Sequence, residues 1–84
     1  MNGNRHRTAW ALSHPERVAI LDHLKRVVEA SGQQVAEMVG LSPAHAAYQL
    51  RVLRDAELVV LTGTEHERGV TRRFYAAAMQ EPQQ

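Results

Sequence analysis

The sequence predicts an α+β domain, mostly helical: a core of three to four helices followed by a C-terminal two-stranded β hairpin. Three observations carry this. Apolar residues recur at three- and four-residue steps through the first half. Three separate helix-start signals punctuate that half. After residue 57 the pattern changes to short β-branched and aromatic runs, Leu58-Val59-Val60-Leu61-Thr62 and Thr71-Arg72-Arg73-Phe74-Tyr75, which read as strands.

Eighty-four residues make one domain with a small core. Residues 1–7 and 78–84 read as polar, disordered tails around a folded unit at 8–77. Thr8 to Leu12 reads as a short helix that brings Trp10 and Leu12 to the core or to a partner. Ser13-His14-Pro15-Glu16 has the form of a capping box, with Ser13 as N-cap, Pro15 in the first turn and Glu16 reaching back. From there Val18, Ile20, Leu21, Leu24, Val27 and Val28 mark the apolar stripe of a helix of about four turns.

Ser31-Gly32-Gln33-Gln34 repeats the capping signal and opens a short helix with Val35, Ala36 and Val39. Gly40 supplies the left-handed residue that stops it, and Leu41 tucks inside. Ser42 then caps a further helix, with Pro43 in its first position, running to about Ala56. Two helices across so tight a turn match the helix-turn-helix pattern. Gly63 to Gly69 reads as a polar connection between the two strands, which makes the hairpin irregular.

The helix from Pro43 to Ala56 carries the chemistry. Its inward face holds Ala46, Leu50 and Leu53, with Ala47 beside them. The other side carries Ala44, His45, Tyr48, Arg51, Val52 and Asp55, with Gln49 on the flank. A helix enters the major groove when its outer residues can reach base edges or phosphates without obstruction. Ala44 and Ala47 permit close approach. His45, Tyr48 and Gln49 are the expected base readers, with Ser42 at the helix start. Arg51, Arg54, Arg68 and Arg73 are the expected phosphate anchors. Arg72 and Arg73 are adjacent strand residues, so at most one of them faces a duplex. On this reading Gln49→Ala relaxes preference at one base pair, whereas Arg51→Ala weakens all sequences alike.

From about Ala11 to Tyr75 the chain resembles the ArsR-type winged helix-turn-helix family of bacterial transcription regulators. Ala11-Leu12-Ser13-His14-Pro15-Glu16-Arg17-Val18-Ala19-Ile20-Leu21 is similar to the family's Ala-Leu-x-x-Pro-x-Arg-x-x-Ile-Leu run. Val35 to Ser42 continues the likeness. Leu50-Arg51-Val52-Leu53-Arg54-Asp55-Ala56-Glu57-Leu58-Val59 is similar to its Leu-Arg-x-Leu-x-x-Ala-Gly-Leu-Val run. The resemblance implies a double-stranded DNA partner in the cytoplasm, major-groove reading by the second helix of the motif, wing contacts to the flanking backbone, and a symmetric dimer. Little length follows Tyr75 for a C-terminal dimerisation helix, so the homodimer contact is expected at the N-terminal helix with Trp10, with a contribution from the C-terminal end. The chain departs from the family at Ala46-Ala47-Tyr48-Gln49, where Val-Ser-His-His is common. It departs again at Glu57, where glycine is usual and a looser turn is expected.

Other functions find less support. Net charge is only +1, the expected wing loop carries Glu65 and Glu67, and the reading helix departs from the family at Ala46 to Gln49; these favour the alternative of a winged-helix protein-interaction module that has lost DNA binding. There is no cysteine, and His6, His14, His23, His45 and His66 are scattered, so neither a metal site nor a cofactor is expected. Ser13, Ser31 and Ser42 have structural work as caps, and no acid–base set converges on them, so the chain is not read as an enzyme. No apolar run is long enough to span a bilayer. RNA binding lacks an aromatic sheet platform.

Overall fold

A computed structural model of the chain describes residues 3–78. Four helices, α1 (Gly3–Ala11), α2 (Pro15–Lys25), α3 (Gly32–Val39) and α4 (Pro43–Asp55), pack with three strands, β1 (Ala30–Ser31), β2 (Val59–Glu67) and β3 (Val70–Ala77). The sheet is antiparallel in the order β1-β3-β2. The core lies between the helices and the base of the hairpin, where Ile20, Leu24, Val35, Leu50, Leu53 and Val59 are fully buried. This is the predicted α+β class, with the two-stranded wing widened by β1, which pairs Ala30 with Tyr75 and Ser31 with Phe74.

Helix α1 begins at Gly3, ahead of the Thr8 start the sequence suggested. One reason is visible: Arg7 Nη1 donates to the Asp55 carbonyl at 3.2 Å, placing a cation on the C-terminal end of α4. Of the expected tails, residues 1–2 and 79–84 lie outside the described residues.

The start of α2 differs from the predicted capping box. His14, not Ser13, is the N-cap, accepting the Glu16 N–H on Nδ1 at 3.3 Å. Pro15 forces the residue before it into extended backbone, and an N-cap has that conformation. Ser13 instead closes α1: its hydroxyl donates to the Trp10 carbonyl at 2.6 Å. Helix α2 ends at Lys25 and turns Arg17, Ile20, Leu21 and Leu24 inward. Val18, Val27 and Val28, expected on the apolar stripe, are exposed. Arg17 takes the inward position because carbonyl acceptors await it there.

The later punctuation holds. Ser31 Oγ accepts from Gln34 N–H at 3.1 Å while Gln34 Oε1 accepts from Ser31 N–H at 2.8 Å. Gly40 takes φ +74°, and Ser42 Oγ accepts from His45 N–H at 3.1 Å. At the end of α4 the N–H groups of Glu57 and Leu58 donate to Arg54 and Leu53 carbonyls, both at 2.9 Å, which is a full Schellman closure rather than a loose turn. It requires Glu57 at φ +65°. A side chain there costs about 1–2 kcal/mol, partly offset by the extra freedom a glycine would lose on folding. Glu57→Gly is therefore expected to raise the unfolding free energy by about 0.5–1 kcal/mol, read as a higher urea midpoint at unchanged m value.

The polar connection expected at 63–69 is mostly strand. β2 and β3 pair from Val59↔Ala77 to Glu67↔Val70, with one irregularity between Leu61 and Gly63. Only Arg68 and Gly69 form the turn, at φ +52° and +80°. Positive φ at both central residues is the two-residue turn whose twist matches a hairpin.

Candidate nucleic-acid interface

Helix α4 lies with Ala46, Gln49, Leu50, Val52 and Leu53 against the core. Ala44, Ala47, Tyr48, Arg51, Arg54 and Asp55 are exposed. Of these, Ala44, Tyr48, Arg51 and Asp55 fall about the middle of the outer side, and Ala47 and Arg54 flank it towards the hairpin. Ser42 is exposed at the start of the helix, its hydroxyl oxygen occupied as the cap.

Two predicted assignments change. Val52 is buried. Gln49, expected to read a base, is 2% exposed and belongs to a polar network beneath the helix. Its Oε1 accepts from Arg17 Nη1 at 2.8 Å, and its Nε2 donates to Glu16 Oε1 at 2.9 Å. Buried beneath the helix and engaged with Arg17, Glu16 and, at 3.4 Å, His45 Nε2, Gln49 presents no edge to solvent, and the expected reading role does not fit its position. His45 also leans towards α2, with Nε2 2.9 Å from Glu16 Oε1, although nearly half its side chain is exposed.

Arg17 anchors this network. Its Nε donates to the Ala11 carbonyl at 2.7 Å, its Nη2 to the Trp10 carbonyl at 3.2 Å, and its guanidinium lies 4.6 Å from the centre of the Trp10 ring. Arg17 thus joins the end of α1 to the buried side of α4. Sequence reading missed it because an arginine inside an apolar period looks like a surface residue. The signal was present in its position, three before Ile20 and four before Leu21.

The hairpin settles which wing residues share a side with α4. Side chains alternate along a strand, and cross-strand partners point the same way. Tyr75 is buried and lines a cleft with Ala47, Arg51, Arg54 and Arg73. The side that contains Tyr75 and Arg73 therefore also holds Thr71, and their partners Thr64 and His66. The reverse side carries Arg72 with its partner Glu65, 4.0 Å apart, and Glu67 opposite Val70. Both glutamates thus point away from α4. Arg72, predicted as a possible contact, points its guanidinium to Glu65 on that side while still bordering a cleft with Pro43 and Ala47; Arg73 faces α4. Arg68 sits exposed at the tip of the turn.

Among the described residues no group of histidines and carboxylates is arranged to hold a metal ion, and no helix is long and apolar enough to cross a membrane.

The same architecture occurs in solved structures. A possible transcriptional regulatory protein from Mycobacterium bovis, solved as a fragment of residues 1–100, superposes with a TM-score of 0.76 at 28% identity, over 90% of this chain and 75% of that one. No functionally curated protein matches the sequence. Residues 12–62, which run from the end of α1 through the helix pair into β2, match a family described as a helix-turn-helix domain. The match spans more than half of the chain, and the chain belongs to that family.

Proposed function

We propose that the domain binds double-stranded DNA sequence-specifically and regulates transcription, with α4 in the major groove and the wing on the flanking backbone. One observation carries the reading. The outer side of α4 is uncovered by the chain's own residues, and the wing side next to it presents Arg73, Thr64, His66 and Thr71 without a carboxylate. Tyr48 and the partly exposed His45 are the base readers, Ala44 and Ala47 allow close approach, and Arg51, Arg54, Arg68 and Arg73 contact phosphates. The Ala11–Leu21 and Leu50–Val59 runs favour an ArsR-type regulator within the wider family. Trp10, 54% exposed on α1, favours a homodimer through that helix.

The protein-interaction alternative drew part of its support from the acidic wing. With Glu65 and Glu67 turned to the reverse side, that support no longer bears on the face beside α4.

Selection of bound duplexes from a random library, at low and moderate salt, tests the reading. A shared motif is expected, and absence of enrichment at low salt defeats it. For a selected duplex, Arg51→Ala is expected to weaken matched and mismatched sites equally, reducing the slope of log affinity against log salt by no more than about 0.9. Tyr48→Ala is expected to cost about 1–3 kcal/mol at the matched site and much less elsewhere. A uniform loss for both variants would remove Tyr48 from the readers.

A further inference from the structure

We propose that the cleft between α4 and β3 is a seat for a single phosphate group, held jointly by Arg51, Arg54 and Arg73. The cleft has a volume of about 280 Å³ and is lined by these three arginines with Ala47 and Tyr75. Arg51 and Arg54 are three residues apart, which stacks them as neighbours along one helix. Arg73 approaches from the facing side of the hairpin.

The cleft gathers three of the chain's ten cations and no carboxylate. Among the described residues none of the three arginines has an ion-pair partner, whereas Arg72, one residue away on the reverse side, is paired with Glu65. Like charges this close repel one another unless an anion lies between them. Arg54 has a separate reason to stand in the last turn of a helix, where it opposes the dipole. That reason does not extend to Arg51 or Arg73.

Tyr75 lines the same cleft, and its hydroxyl, still open to solvent, makes no hydrogen bond within the described residues. Three guanidinium forks around one cleft suit the oxygens of a tetrahedral anion, which arginine binds bidentately. The small side chain of Ala47 keeps the floor open. Because α4 and the wing each supply part of the seat, an occupied seat fixes the angle between them.

The phosphate can belong to a DNA backbone or to a free phosphorylated compound. The first source rests on the DNA-binding reading above; the seat itself does not. Two measurements separate these. In the first, the salt slope of duplex binding is compared for the wild type and for Arg51→Gln/Arg54→Gln/Arg73→Gln. These positions are exposed, and thermal melting verifies that the variant is folded. One shared phosphate predicts a slope smaller by about 0.9, whereas three separate phosphate contacts predict a loss of about 2.7. The second is a titration with inorganic phosphate against chloride at matched ionic strength, followed by NMR at the arginine side chains.

If a duplex binds, the slope decides: a loss near one supports the seat, and a loss near three overturns it while leaving DNA binding intact. If no duplex binds, the titration decides. Saturable shifts at Arg51, Arg54 and Arg73, absent at Arg26 and Arg72, support a seat for a free phosphate compound. Shifts that are unsaturable or equal at all five overturn it.

Discussion

Arg17→Met is expected to lower the unfolding free energy by roughly 2–3 kcal/mol, although it replaces a charged side chain by an apolar one of similar reach. The magnitude follows from what is left behind. Trp10 carbonyl still accepts from the Ser13 N–H and hydroxyl, so it stays satisfied. Gln49 Oε1 loses its donor in a buried site, and the Ala11 carbonyl loses a 2.7 Å bond. Each buried acceptor left without a partner costs about 1–3 kcal/mol, and release of the guanidinium from a poorly solvated position returns part of that. For a domain of this size the melting temperature falls by on the order of 10–20 °C. Gln49→Leu removes one of the two stranded acceptors in advance. The double variant is therefore expected to lose about 1 kcal/mol less than the sum of the single losses, a coupling that a double-mutant cycle measures directly. Strict additivity would mean that the Arg17–Gln49 bond contributes nothing to the folded state.

The same network bears on function through geometry. A helix in a groove reads bases correctly only if its rotation about its own axis is fixed. Apolar contacts from Leu50 and Leu53 set a broad minimum for that rotation, because packing is tolerant of small turns. The hydrogen bonds that Gln49 accepts from Arg17 and donates to Glu16 narrow it, since they fail beyond a few tenths of an ångström. The polar residue that looked like a reader therefore holds the proposed readers in place.

That reversal marks where sequence reasoning stops. Signals written in a single residue type at a fixed offset were legible: the Ser31–Gln34 reciprocal cap, the left-handed Gly40, and Ser42-Pro43 at the head of α4. Each depends on backbone groups within four residues, so the sequence contains both partners. Ser13 misled because two potential caps stood side by side, and the constraint from Pro15 favoured His14. Arg17 and Gln49 are 32 residues apart and only their meeting makes either burial tolerable. A helical wheel drawn for one helix sees half of such a pair. β1 has two residues and therefore no period to detect; its strand character comes wholly from β3 beside it. The wing was legible as two strands, but which side Glu65 and Glu67 face was not, because it depends on a register that only the two-residue turn fixes.

The packing side of α4 yields the other large expected effect. Leu50 is fully buried and its neighbours come from several elements, so the hole left by Leu50→Ala cannot collapse by moving one of them. The loss is expected near 3 kcal/mol, within the 2–5 kcal/mol that such truncations cost. A domain of 84 residues has roughly 4–12 kcal/mol of stability in all, so the variant spends much of its margin. Tyr48→Ala, two positions away but 52% exposed, is expected to change stability by no more than about 0.5 kcal/mol. The two substitutions therefore separate the roles of the two faces. Leu50→Ala should lose duplex binding only in proportion to its unfolded fraction, recovering on cooling, and Leu50→Met, which keeps the volume, should retain both fold and binding. Tyr48→Ala should melt like the wild type and still lose preference for its site. A Tyr48 variant as unstable as Leu50→Ala would show that the outer side of α4 is part of the core, and the face assigned to DNA would have to be sought elsewhere on the chain.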